Sequence, residues 1–158
     1  MDQPRNVVEM FLAQCRAGAD RPALLAKRDG QWQGISWREW EQEVRRLAHG
    51  LIALGLKPEE TVTLTSNNRP EWIHADLAVQ MVGGVLVTIY PTLAADDVRF
   101  IINDAQARFA VVENLAQLEK LPDDPALLPK LEKIVLLDGT SDDPRVVTYA
   151  QLRQLGNR

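Results

Sequence analysis

TVTLTSNNRPEWIHADLAVQMVGGVLVTIYPT, residues 61–92, reads as a strand, a helix and a second strand. Thr61–Thr65 is a short β-branched run of the kind that fits a pleated sheet. Pro70 then stands in the first turn of a helix, where its missing N–H costs nothing. Asn68 with Glu71 predicts a capping box in front of a helix from about 69 to 82. Gly83 and Gly84 end that helix and lead into Val85–Ile89, a nearly continuous apolar run. Such a run predicts a strand covered on both faces. A strand, a helix and a second strand in this order imply parallel pairing with a right-handed crossover.

Outward from this unit the alternation continues. Asp96 to Ala105 predicts a helix with two acids at its N-terminus, where the helix dipole favours negative charge. Strand Phe109–Val112, a short helix over 115–121 and strand Lys133–Leu137 follow, and then a helix over Tyr149–Leu155 behind a Thr148/Gln151 capping box. Upstream, Val7, Val8, Phe11, Leu12 and Cys15 form one helical stripe that Gly18 can end. Ala23–Lys27 and Trp32–Ser36 flank Asp29-Gly30, a strong hairpin signal. Ser36 with Glu39 caps a further helix, along which Trp37, Trp40, Val44, Leu47, Ala48 and Leu51 recur at three- and four-residue spacing. Glu41 and Arg45 form an i,i+4 pair on its wet side, and Gly55 closes it. The expected fold class is α/β, a four-stranded parallel sheet with flanking helices, preceded by a helix and a β-hairpin. A single domain spans 1–158, with the helix and hairpin over 5–36 and the βα units over 37–158.

A chain of 158 residues supports one core. Its 18 Lys and Arg against 22 Asp and Glu give a net charge of −4, so there is no basic footprint for nucleic acid or for an anionic membrane face. The apolar run Met81–Ile89 is far below the ~20 residues that span a bilayer. The start, MDQPRNVVEMFLAQCRAG, is interrupted by Glu9 and Gln14 and does not match a signal peptide. One cysteine, Cys15, allows no intrachain disulfide and suits a reducing compartment. The expected location is cytoplasmic.

Several stretches resemble, in order, the N-terminal region of adenylate-forming acyl-CoA synthetases, the AMP-binding family. The likeness is strongest to their long-chain fatty acid group. Asn68-Arg69-Pro70-Glu71-Trp72 is similar to that family's helix start. Ile89-Tyr90-Pro91-Thr92-Leu93 resembles a phrase of its long-chain members. Trp37 to Val62 resembles its helix-and-turn, with Pro58-Glu59-Glu60 replacing the usual Gly-Asp, and Asn103-Asp104-Ala105 also fits. The resemblance implies a partial N-terminal subdomain of the adenylate-forming enzyme fold, hence an incomplete domain. For the full-length family it implies ATP, Mg2+ and CoA, a fatty acid substrate, and a peripheral association with the inner membrane. The family's Gly-rich phosphate loop ending in Lys-Gly has no match here. No catalytic residue, metal ligand or cofactor is therefore expected in this chain itself.

Two residues are candidates for cofactor binding. Tyr90 stands at the C-terminal end of a predicted parallel strand, where α/β sheets place ligands, although a packing aromatic with one hydroxyl partner is favoured about three to one. Lys120 is the only basic residue near the region where some relatives meet CoA phosphates. Arg69 with Glu71 reads first as a helix cap with a solvated arginine. His49 and His74 have no second ligand at metal spacing and read as structural or solvated. The tryptophans read as core or hairpin packing. Three functional readings follow. The first is an N-terminal fragment of a long-chain fatty acid–CoA ligase, inactive alone. The second is a non-catalytic assembly module derived from one, whose open sheet edges lead to self-association. The third is a small flavodoxin-like ligand-binding domain.

Overall fold

Asp29 and Gly30 turn the chain at φ angles of 50° and 78°, the left-handed pair that a two-residue hairpin needs. They join β1 (Pro22–Arg28) to β2 (Gln31–Ser36), paired antiparallel from Arg28↔Gln31 back to Pro22↔Ser36. This computed structural model describes residues 3–157. Helix α1 (Val7–Gly18) precedes the hairpin and α2 (Trp37–Ala53) follows it. In α2 the Ser36 hydroxyl accepts from the Glu39 amide and the Glu39 carboxylate accepts from the Ser36 amide, as the capping box predicts. Gly18 does not end α1 by a left-handed turn. It is the helix's last buried residue, and a Cβ there would meet Trp37 Cδ1 at 3.1 Å.

The remaining elements are β3 (Thr61–Thr65), α3 (Pro70–Val82), β4 (Val85–Ile89), α4 (Ala95–Asp104), β5 (Phe109–Val112), α5 (Leu115–Leu118), a 3-10 turn at Pro125–Leu127, β6 (Lys133–Leu136), β7 (Val146–Thr148) and α6 (Tyr149–Leu155). The sheet holds five parallel strands in the order β4-β3-β5-β6-β7, one more than expected. β7 is three residues long and sits directly in front of α6, so its apolar pair Val146-Val147 is too short to announce a strand.

Register assigns the faces. Val62, Leu64, Phe109, Val111 and Val135 point into one core with α1, α2, α3 and α6. Ala110, Val112, Ile134, Leu136 and Ile89 point into the other, under α4 and the segment after α5. Val62, Leu64, Phe109 and Ile134 have no exposed surface, so β3, β5 and β6 are covered on both sides. β4 is not. It is an edge strand, Val85 is 49 % exposed and Thr88 is exposed, which corrects the expectation of a strand covered on both faces. An apolar run shows that a strand forms but not where in the sheet it lies.

Candidate functional site

β3 runs to β4 in one direction along the sheet, and β4 returns across it to β5, so the strand order reverses between β3 and β5. In open α/β sheets the crevice outside the carboxyl ends of the strands at such a reversal is where ligands sit. The segments there are Ser66-Asn67-Asn68-Arg69 after β3, Tyr90-Pro91-Thr92 after β4, Glu113-Asn114 after β5 and Asp138 after β6.

These segments are tied to one another. The Asn67 backbone N–H and Nδ2 both donate to Glu113 Oε2, at 2.6 and 2.9 Å. The Glu113 N–H donates to the Thr65 carbonyl at 2.9 Å, and the Asp138 N–H to the Glu113 carbonyl at 2.8 Å. Arg69 spans the gap by donating to both Asp138 carboxylate oxygens and, through Nε, to Glu71 Oε2 at 2.7 Å. Burial works to push the Glu71 carboxyl up, but the Arg69 guanidinium, a backbone hydrogen bond and the His74 charge together hold the group below the usual carboxylate range. Arg69 is thus a partly buried bridge between α3 and the end of β6, not the solvated arginine the sequence suggests. The capping box expected from Asn68 and Glu71 does not form: the cap residue is Arg69, extended at φ −158°, with no side-chain cap bond.

Of the two candidates, Tyr90 is 78 % exposed and helps line a cleft of about 420 Å3 with Ser66, Asn67, Asn68, Trp72, Thr88, Ile89, Pro91 and Thr92. The packed-aromatic reading of Tyr90 is therefore wrong. Lys120 is brought to the same loop but faces its inside: Nζ donates to the Pro91 carbonyl at 2.6 Å and the Leu93 carbonyl at 2.9 Å, and Gln117 Nε2 adds a bond to Pro91 at 3.2 Å. The ammonium shapes the loop that carries Tyr90. An adjoining cleft of about 640 Å3 shares Asn68 and Trp72 and continues to the hairpin residues Leu25 and Trp32, which are 66 % and 68 % exposed. Trp32 is thus an exposed hairpin residue, whereas Trp37 stacks on Trp40 at 5.2 Å in the core. His49 is exposed.

A second polar network joins α2, α3 and α6. The buried His74 on α3 has Nδ1 3.4 Å from the Tyr149 hydroxyl of α6, and that hydroxyl donates to Glu43 Oε1 of α2 at 2.9 Å. Arg46 and Arg153 also bind the Glu43 carboxylate. Burial, and next the Glu43 charge, push the Tyr149 phenol well above its ordinary pKa. Among the described residues no group of three or more His, Cys, Asp or Glu could hold a metal ion. Sequence reasoning missed Asn67, Glu113, Asp138, Glu43 and Tyr149. Only their positions just after strand ends could have flagged the first three.

Comparison with known proteins identifies the family. The profile described as AMP-binding enzyme matches residues 11–156. The chain belongs to the AMP-binding enzyme family. Within it, the chain is 31 % identical over 156 residues to the Bos taurus long-chain-fatty-acid–CoA ligase ACSBG1, covering 98 % of this chain and 22 % of that protein. To the Xenopus laevis long-chain-fatty-acid–CoA ligase ACSBG2 it is 30 % identical, over 97 % of this chain and 21 % of that one. Its fold matches acetoacetyl-CoA synthetase from Streptomyces lividans with a TM-score of 0.82 at 23 % identity, over 94 % of this chain and 25 % of that chain. Coronafacic acid ligase from Pectobacterium brasiliense gives 0.83 at 18 % identity, over 94 % and 29 %. The chain spans about a fifth of the length of these AMP-binding curated relatives. The sheet with flanking helices is that of the N-terminal part of adenylate-forming enzymes.

Proposed function

We propose that this chain is the N-terminal portion of a long-chain fatty acid–CoA ligase, forming one incomplete AMP-binding domain over 1–158. The helix and hairpin occupy 5–36 and the βα units 37–158. The observation that supports this reading most is the 31 % identity to a long-chain ligase along nearly the whole chain. In the complete enzyme the reaction would pass from fatty acid and ATP through an acyl-adenylate to an acyl-CoA, with Mg2+ and CoA taking part, in the cytoplasm or at the inner membrane surface. No helix among the described residues is long and apolar enough to cross a membrane.

The described residues do not by themselves fit ATP or Mg2+. A triphosphate needs a cradle of amides and a cation able to reach it. The cations nearest the cleft are spoken for, Arg69 by Glu71 and Asp138, Lys120 by the Pro91 and Leu93 carbonyls. What the chain offers the larger enzyme is a wall: Ser66, Asn68 and Thr92 beside the exposed ring of Tyr90. The candidates Tyr90 and Lys120 take different parts, Tyr90 facing the cleft and Lys120 holding the Tyr90 loop in shape.

A chimera tests the reading. With this chain in place of the matching fifth of the bovine ligase, palmitoyl-CoA should form from palmitate, ATP and CoA. A folded, monodisperse chimera that binds MgATP but makes no palmitoyl-CoA would overturn it. The chain alone should show no palmitate-dependent ATP–pyrophosphate exchange, and clear exchange would refute its inactivity in isolation.

A further inference from the structure

The cleft of about 640 Å3 between the hairpin and the start of α3 touches the strand-end cleft only through the shared Asn68 and Trp72. One wall is Leu24, Leu25 and Trp32 of the hairpin, and the other is Pro70, Trp72 and Ile73 of α3. Its size falls within the roughly 300–1,000 Å3 of small-molecule sites, and aliphatic and aromatic walls with few polar groups are their usual make-up. Leu25 and Trp32, 66 % and 68 % exposed, leave apolar surface in water that an apolar ligand would cover. The charges are lopsided. The chain carries a net charge of −4, yet no carboxylate lines this cleft and two cations do, Lys27 and Arg69. Arg69 is taken up by Glu71 and Asp138. Lys27 is exposed and forms no ion pair among the described residues. It stands across the hairpin from Trp32, in the pair nearest the turn but one. Paired residues share a face of the sheet, so ammonium and indole lie side by side at the hairpin-tip end, while Asn68 and Trp72 mark the end that joins the strand-end cleft.

We infer that this cleft is a holding site for a free long-chain carboxylate, its chain along the apolar walls and its head on the Lys27 ammonium. An apolar trough with one unclaimed cation at its end matches a molecule that is apolar along its length and anionic at one end. The walls remove methylenes from water, and Lys27 selects the head and fixes which way round the molecule lies. In this orientation the carboxylate sits at the hairpin end, away from Tyr90 and the strand ends. The occupant is therefore held and not converted there, and the site is separate from the cleft that the ligase reading concerns. The inference does not depend on that reading. Binding is read on the chain alone, without ATP or CoA, so a chimera that makes no palmitoyl-CoA leaves it standing.

A terminally brominated dodecanoate, kept below its micellar range, is the probe, because bromine quenches an indole only at contact. Trp32 and Trp72 line the cleft, whereas Trp37 and Trp40 stack in the core. Titration should quench the emission saturably, and Trp32→Phe should remove a large part of that quenching. Lys27→Gln should weaken dodecanoate about threefold to fivefold, the strength of an exposed ion pair, and leave dodecanol unchanged. Leu25→Ser, at an exposed position, should weaken both with an unchanged far-UV spectrum. Lengthening decanoate to dodecanoate should tighten binding about threefold to tenfold, as two further methylenes find cover. Absence of saturable quenching up to the micellar range overturns the inference. So does quenching that survives Trp32→Phe in full, or a dodecanoate affinity indifferent to Lys27→Gln and Leu25→Ser. Sedimentation with phosphatidylglycerol vesicles that needs Lys27 and Leu25, without binding of free dodecanoate, reassigns the face to a lipid surface and overturns it as well.

Discussion

Tyr149→Phe removes one oxygen from the contact between α2, α3 and α6. That oxygen donates to the Glu43 carboxylate at 2.9 Å and lies 3.4 Å from His74 Nδ1. A hydrogen bond to a charged group contributes about 1.5–3 kcal/mol. The low end applies here, because Glu43 keeps Arg46 at 2.7 Å and Arg153 at 2.8 Å and is not left uncompensated. The expected loss is about 1.5 kcal/mol near neutral pH, or roughly 3–6 °C in Tm for a domain of this size. The pH dependence is more telling. The folded phenol titrates above its ordinary value, so its contribution is fully present below about pH 10, where the unfolded tyrosine ionises, and is lost above it. The unfolded state then binds fewer protons than the folded one. The wild-type advantage over Tyr149→Phe should shrink by about 1.4 kcal/mol per pH unit beyond that point and vanish near pH 11. Every other lysine and tyrosine is common to both proteins and cancels. Urea denaturation followed by far-UV circular dichroism at pH 8, 10 and 11 measures the difference. An advantage that persists unchanged to pH 11, or is absent at pH 8, would refute the account of this network.

Three further outcomes rest on other contacts. Arg108 binds Glu132 at 2.8 Å and Glu60 at 2.6 Å and holds the Glu132 carboxyl below the usual range. That stabilisation exists above the unfolded carboxylate pKa and is lost as pH falls through the folded one, so Arg108→Gln should be less stable than wild type at pH 7 and nearly equal to it at pH 3, read by thermal melts across that interval. Gly50→Ala would set a Cβ 2.4 Å from the Leu152 carbonyl, pushing α6 off α2 and costing at least about 1–3 kcal/mol, measured by urea denaturation; a neutral result would show that α6 docks differently. Cys15, 2 % exposed, should resist a thiol-reactive chromophore at pH 8 and react at once in denaturant; rapid native reaction would place it outside the core.

The course of the chain is largely written in its pattern. The Ser36/Glu39 and Thr148/Gln151 capping boxes, the Asp29-Gly30 turn and the closure of α2 at Gly55 form as local chemistry dictates. Each depends on residues within one or two turns of each other, where sequence spacing equals spatial spacing. What could not be read depends on lateral order. Whether Val85–Ile89 is central or at the edge is settled by the pairing of β3 with β5, forty-seven positions on, and whether Val146-Val147 joins a sheet at all by a β6 already in place. The candidate site follows the same division. Tyr90 and Lys120 reach one loop, but that the lysine grips it from within follows from the path of α5, which no local signal fixes. Arg69 next to Glu71 suggests a cap, and only the arrival of Asp138, sixty-nine positions on, turns the guanidinium into a bridge.

β3 is the first strand of the parallel sheet to leave the ribosome and ends in its interior, flanked by β4 and β5. β4 follows it promptly, but about forty residues must be made between Thr65 and Phe109, which takes several seconds at about 5–20 residues/s. During that interval the Thr63 and Thr65 backbone has no partner on one flank and Leu64 has only part of its cover. The nascent chain therefore passes through a window in which its future centre is its stickiest exposed strand. A trigger-factor-like holdase should engage it most strongly between the emergence of β3 and that of β5, and a translational pause placed there should lower the soluble yield more than the same pause after residue 113.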